Sequence, residues 1–268
     1  MKVVKGVSLM AEQRVALVTG AAQGIGQQTA IVLAERGHAV VLNDLRPADE
    51  TLATITAAGG VAVNAIADVG DEVAVIAMVA ETLARFGRID VLVNNAGISL
   101  QRPAESTTLA EWERVMRINL TGPFLLCREI GNHMLSRGEG AIINISSVAG
   151  LLAVADRSAY NASKSGLIGL TRTLAAEWGG HGVRVNAVCP GWVKTPMDDA
   201  DQGSAGYTDA DITGRTPIAR FASPDDIAQT VAFLADPKLS GFVNGHSLSV
   251  DGGWASDGSW ESLRLRQR

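Results

Sequence analysis

The sequence is poor in the residues that build disulfides and metal sites. It has two cysteines in 268 residues, Cys127 and Cys189, far apart and without CxxC spacing. They read as buried free thiols of a reducing compartment. The four histidines are equally scattered, so no metal site is expected. Charge is also sparse, at 19% of residues with a net value of -5. That balance argues against a nucleic-acid or membrane-surface partner. Arg264, Arg266 and Arg268 are a local exception, and their plain reading is a solvated tail. No apolar run approaches the roughly 20 residues that a bilayer crossing requires. The opening MKVVKGVSLMAEQR is too short and polar for a secretory signal. Residues 1–13 read as a leader ahead of the folded unit, with Met10 a candidate start, and the expected location is the cytoplasm.

What is abundant is apolar sequence, 47% of the chain, enough for a sizeable core. It comes in short runs that alternate with longer helical stretches. Strands are expected at VALVT (15–19), AVVLN (39–43), VAVNAI (61–66), DVLVNN (90–95), AIINIS (141–146), VRVNAV (183–188) and SLSV (247–250). Several are almost continuously apolar, as in a parallel sheet covered on both faces. Between them lie amphipathic segments such as 71–87 and 224–236. Asp71 and Ser223 stand where N-caps belong, and Gly37 and Gly87 where helices should stop. The pattern predicts one α/β domain over 14–253, a doubly wound (Rossmann-type) parallel seven-stranded sheet with helices on both faces. The polar, Gly-rich interval 191–223 is expected to form a lid with one or two short helices. Residues 254–268 form a C-terminal extension.

TGAAQGIG (19–26) follows the first strand and opens the first helix. Gly20, Gln23, Gly24, Ile25 and Gly26 sit where a strand must turn and present a helix N-terminus to an anion, which suits a pyrophosphate. The spacing is G-x3-G-x-G rather than the usual dinucleotide fingerprint, so alone it is also compatible with a structural turn. The next strand ends in Asp44, 24 residues after Gly20. A carboxylate there can accept from adenosine ribose hydroxyls and would repel a 2′-phosphate. Its plain alternative is a turn residue. The cofactor read from this half is NAD rather than NADP, with Arg46 as the opposing feature. Asp68 and Val69 end the third strand, where Asp68 either meets the adenine edge or caps the next helix.

The segment SAYNASKSGLIGLTRTLAAEW (158–178) reads as a helix whose inward face begins with a phenol and an ammonium. Tyr160, Lys164, Leu167, Thr171, Leu174 and Trp178 fall within about 40° of one line at helical spacing. An inward lysine is costly unless its charge is used. An ammonium one turn from a phenol favours phenolate and is expected to draw the Tyr160 pKa down. Ser147 lies at a strand's C-terminal end, where its hydroxyl can hold a substrate oxygen beside Tyr160.

TGAAQGIG (19–26), NNAG (94–97), Asn119 in MRINLTG, Ser147 in INISS, YNASK (160–164), PGWVKT (190–195) and DGG (251–253) occur in this order. Together they resemble the classical short-chain dehydrogenase/reductase family across residues 14–253. The resemblance implies that Asn119, Ser147, Tyr160 and Lys164 are catalytic, with Tyr160 exchanging the alcohol proton during hydride transfer. It also implies that Lys164 serves ribose hydroxyls and that Asn119 holds a water linking Lys164 to solvent. It places Asn94, Asn95, Ala96 and Gly97 on the adenosine and ribose side. Pro190, Gly191, Val193 and Thr195 would cover the nicotinamide. Substrate candidates are Ser99, Gln101, Val148, Ala149, Val154, Asp156, Arg157, Trp192 and Trp254, with Trp260 in the extension. Polar candidates favour a sugar or polyol substrate, and the rival is a 3-oxoacyl-thioester reductase using NADPH. A catalytically silent binding protein is the remaining alternative. Family assembly implies a homotetramer, with a dimer as fallback, formed through helices at about 108–136 and 158–178.

Overall fold

The computed structural model describes residues 13–205 and 207–259. The residue 1–13 leader reading with Met10, and the tail residues Trp260, Arg264, Arg266 and Arg268, lie almost wholly outside them. Seven strands form the sheet: β1 (Val15–Thr19), β2 (Ala39–Asp44), β3 (Ala62–Ile66), β4 (Val91–Asn94), β5 (Gly140–Ile145), β6 (Val183–Pro190) and β7 (Ser247–Val250). All neighbours pair in parallel, in the order β3-β2-β1-β4-β5-β6-β7. The order reverses between β1 and β4, and the crevice at the strands' C-terminal ends there is where open α/β sheets bind ligands.

Side chains alternate across each strand and so feed two separate cores. Ala16, Val18, Val40, Leu42, Val93 and Ile143 pack beneath α1 (Gly24–Glu35), α2 (Asp49–Ala57) and α9 (Pro224–Ala235). Val15, Leu17, Val41, Leu92, Ile142 and Val185 face α3 (Glu72–Phe86), α5 (Gly122–Arg137) and α6 (Ser158–Trp178). The sheet is therefore covered twice, which explains why its strands read as continuous apolar runs. Cys127 and Cys189 are both buried free thiols, and burial raises the first to about 12 and the second to about 11. No helix among the described residues is long and apolar enough to cross a membrane.

The helix ends follow from their caps. Asp71 accepts from the Val73 and Ala74 amides and starts α3, and Gly87, in the left-handed region at φ 73°, stops it. Ser223 and Asp226 form a reciprocal capping box at α9, reinforced by Arg220 on the Asp226 carboxylate. Ser223→Ala is expected to lower stability by about 1 kcal/mol, read as a shifted urea midpoint with unchanged slope.

One departure from the sequence reading bears on the site. The helix after NNAG is not uniform. α4 (Leu109–Met116) runs into a π-helical turn, Arg117–Thr121, before α5 begins. Asn119 lies on that turn. The 191–223 interval contains α7 (Pro196–Ala205) and α8 (Asp209–Arg215). A short α10 (Pro237–Ser240) precedes β7.

Candidate active site

Hydrogen bonds across the switch point hold the glycine turn. The Thr19 hydroxyl accepts from the Asn95 and Ala96 amides, while the Asn95 side chain donates to the Thr19 and Gly20 carbonyls. Gly20 and Gly24 have φ of 65° and 59°, values that suit glycine. Helix α1 starts behind Gln23, which makes no side-chain cap, and its first turn has no acidic residue. Its free N–H groups and positive end open on a cleft of about 440 Å³. This uncapped end is a fit for the pyrophosphate of a dinucleotide.

The cleft wall runs past Gly20, Gln23, Gly24 and Ile25, then Asp44, Asp68 and Val69. It continues along Asn95, Ala96 and Gly97 to Ser147, Tyr160 and Lys164, and is closed by Pro190, Gly191, Val193 and Thr195. Thr195 faces Gly24, and a Cβ built on that glycine would lie 3.4 Å from the threonine methyl. Asp44 accepts from the Ala22 amide at 3.0 Å and the Leu45 amide at 2.8 Å. Arg46 lies beside it in the wall. Asp68 does not cap α3, a role taken by Asp71. It accepts from the Gly70 amide and pairs with Arg117 at 2.9 Å, which together hold its carboxyl below the usual range despite partial burial.

Several expected residues stand elsewhere. Gly26 is buried behind the wall, where its Cβ would fall 2.0 Å from the Gly20 carbonyl oxygen; it permits close packing of α1 on the turn. Asn94 points into the core, bonding Cys127 and Asn144. Asn119 is fully buried and spends its amide on the Ile98 backbone and the Ser163 hydroxyl. Its side chain sits 3.3 Å from a Cβ built on Gly97, and Lys164 Nζ lies 3.6 Å away on the same approach. Asp156 is exposed at φ 59°, and its carbonyl accepts from the Arg102 amide. Trp254 is not in the wall: its ring centre lies 4.4 Å from that of Trp192, and the Arg215 guanidinium sits over it at 4.9 Å.

At the chemical end Lys164 is buried and donates to the Ile145 carbonyl at 2.8 Å. Its Nζ is 5.6 Å from the Tyr160 ring centre. Burial draws the ammonium down to about 8. The Ser147 hydroxyl bonds the Tyr160 hydroxyl and also accepts from the Ala149 amide. Here the electrostatics differ from the sequence reading. Burial dominates and pushes the Tyr160 phenol above its ordinary value; Ser147 and the Arg157 guanidinium oppose it, and Asp201 adds to it. Arg157, rather than Lys164, is the cation that pulls this phenol down.

The substrate end is built from Ala149, Val154, Arg157 and Trp192, joined by Asp198, Asp201 and Tyr207. The two aspartates escape a sequence reading, because DDADQ (198–202) resembles a solvated helix face. Arg157 is 8% exposed. It donates to Asp201 at 2.8 Å, to Ser99 at 2.9 Å and to Gln101 at 3.2 Å. Ser99 and Gln101 therefore act through Arg157 and are not in the wall. The Trp192 indole bonds the Tyr207 hydroxyl.

A serine–tyrosine–lysine group at the strand ends, beside an uncapped helix terminus, defines an oxidoreductase of the nicotinamide-dependent kind. The family model described as "Enoyl-(Acyl carrier protein) reductase" matches residues 20–255. The chain is 43% identical over 246 residues to a cis-4-hydroxycyclohexanecarboxylate dehydrogenase of Sinomonas cyclohexanicum, covering 91% of this chain and 97% of the relative. It is 40% identical over 247 residues to a D-threitol dehydrogenase of Mycolicibacterium smegmatis, covering 90% and 92%. A gluconate 5-dehydrogenase from Burkholderia cenocepacia, solved with NADP and tartrate, superposes with a TM-score of 0.85 at 37% identity, covering 93% and 99%. The chain belongs to the classical short-chain dehydrogenase/reductase family, oxidoreductases of alcohols and carbonyls that bind a nicotinamide cofactor.

Proposed function

We propose that this protein is an NAD-dependent dehydrogenase of a sugar or polyol, interconverting a secondary alcohol and its carbonyl. The observation that carries this reading is the Ser147–Tyr160 hydroxyl pair in a cleft whose substrate end sets Arg157, Asp198, Asp201 and Tyr207 among Ala149, Val154 and Trp192. Ser147 holds the substrate oxygen. Tyr160 takes the hydroxyl proton during oxidation and returns it to the carbonyl oxygen during reduction. Lys164 and Arg157, with Nζ 5.6 Å and Cζ 6.0 Å from the ring centre, surround the phenol with positive charge as its proton leaves. The dinucleotide, when bound, supplies the carbon that accepts or gives hydride. Gly97 leaves room beside Asn119 and Lys164, so Asn119 fixes the Ile98 backbone while the lysine faces the cleft.

Asp44 favours NAD. Its carboxylate is held at the end of β2 by two amides, fixed where a 2′-phosphate would meet like charge. Asp44→Ser is expected to raise the NADP-to-NAD ratio of kcat/KM by roughly tenfold or more. An unchanged ratio would remove Asp44 from cofactor selection. The reading as a whole is tested by NAD and NADP assays against polyols, monosaccharides and 3-oxoacyl thioesters. Preferred reduction of a thioester with NADPH would replace it with the acyl-thioester reductase reading. We further propose a homotetramer in the cytoplasm, assembled through α4–α5 and α6; sedimentation as a monomer would refute the assembly.

A further inference from the structure

The substrate end holds a buried ion pair whose acidic member the proton-transfer chemistry does not require. Arg157 and Asp201 meet at 2.8 Å with side chains only 10% and 17% exposed. A buried pair of this kind is a poor stabiliser compared with apolar packing, yet both members line the cleft beside Tyr160. Its parts come from two places: Arg157 precedes α6, the helix of Tyr160, and Asp201 lies on α7. Ser99 bonds both charges, donating to Asp201 at 3.0 Å and accepting from Arg157 at 2.9 Å. Arg157 donors and Asp201 acceptors thus stand side by side with their charges cancelled. Asp198, the other acid of this wall, is paired with Lys194 at 3.3 Å.

We propose that Arg157 and Asp201 form a charge-neutral clamp that selects uncharged polyhydroxy substrates over carboxylates. This deepens the polyol reading and rests on it. Adjacent hydroxyls each donate and accept, so a diol can span the pair without displacing either member. A carboxylate offers acceptors alone; it must compete with Asp201 for Arg157 and then face that displaced charge.

The test compares threitol with threonate, which differ in one terminal group, as kcat/KM ratios and as binding to the NAD complex followed by tryptophan fluorescence. Asp201→Asn leaves Arg157 as a net cation and is expected to raise the threonate-to-threitol ratio by about tenfold or more. Arg157→Gln leaves Asp201 as a net anion and should move the ratio below the wild-type value. The double variant should return near it. A folding defect has no reason to produce opposite signs that cancel. Ratios that stay constant, or shift the same way in both single variants, overturn the clamp, as does a wild type that prefers threonate. Those results leave polyol oxidation standing whenever threitol is turned over. The expected signs in binding, with neither compound turned over, keep the clamp and end the polyol-oxidation reading.

Discussion

Tyr160→Phe is expected to lower turnover by about three orders of magnitude or more while NAD affinity changes little. The loss follows from what the hydroxyl does, since a positioned acid or base contributes roughly 10²–10⁴-fold. Phe keeps the ring that Lys164 and Arg157 flank and removes the oxygen that Ser147 bonds. Stopped turnover with intact binding, measured by NAD titration alongside steady-state rates, is the signature. Equal loss of both would make Tyr160 a structural residue. The sign of the pH effect follows from the same group. Burial raises the Tyr160 phenol, so in the free protein the basic form is the minor one at neutrality and grows as pH rises. The kcat/KM for oxidation should therefore climb with pH through the neutral range. In reduction the proton donor is already present there, and its rate should stay flat over the same interval. Tyr160→Phe should erase the slope.

The parts of this molecule that could be read from sequence are those set by short-range periodicity. Lys164 was legible because its spacing from Tyr160 forces both onto one helical face. VALVT and AVVLN were legible because a sheet covered on both sides demands continuous apolar runs. The ends of α3 and α9 followed from Asp71 and Ser223. What stayed hidden depends on long-range meeting. Asp201 looks solvated in DDADQ until α7 carries it to Arg157, 44 residues earlier in the chain. The π turn at Asn119 leaves no mark in the pattern, since one shifted hydrogen bond changes no residue type. The raised phenol of Tyr160 is a burial effect, and burial around a cleft cannot be counted from spacing. Trp254 offered a flat apolar face, but Trp192 and Arg215 both pack against it.

Gly26→Ala is expected to damage both the fold and the cofactor site, for a reason that separates space from backbone strain. A Cβ at this position would lie 2.0 Å from the Gly20 carbonyl oxygen and 2.5 Å from Asn95 Nδ2. The first contact is with backbone, which cannot rotate aside, so α1 must withdraw from the β1 turn. Overpacking typically costs 1–3 kcal/mol where side chains can yield, and a backbone clash should reach about 3 kcal/mol or more. For a domain of this size that is a Tm lowered by roughly 6–12 °C. The same withdrawal pulls the Asn95 bonds off the Thr19 and Gly20 carbonyls and turns the free helix terminus away from the cleft. NAD affinity should therefore fall by about tenfold or more. Gly37→Ala is the control. Gly37 has φ 88°, and its Cβ would meet nothing within 4 Å, leaving left-handed strain of about 1 kcal/mol as the whole cost. That variant should lose a few degrees of Tm and no NAD affinity. If both variants lose stability equally and Gly26→Ala binds NAD normally, the close approach of α1 to the turn is not what shapes the phosphate site.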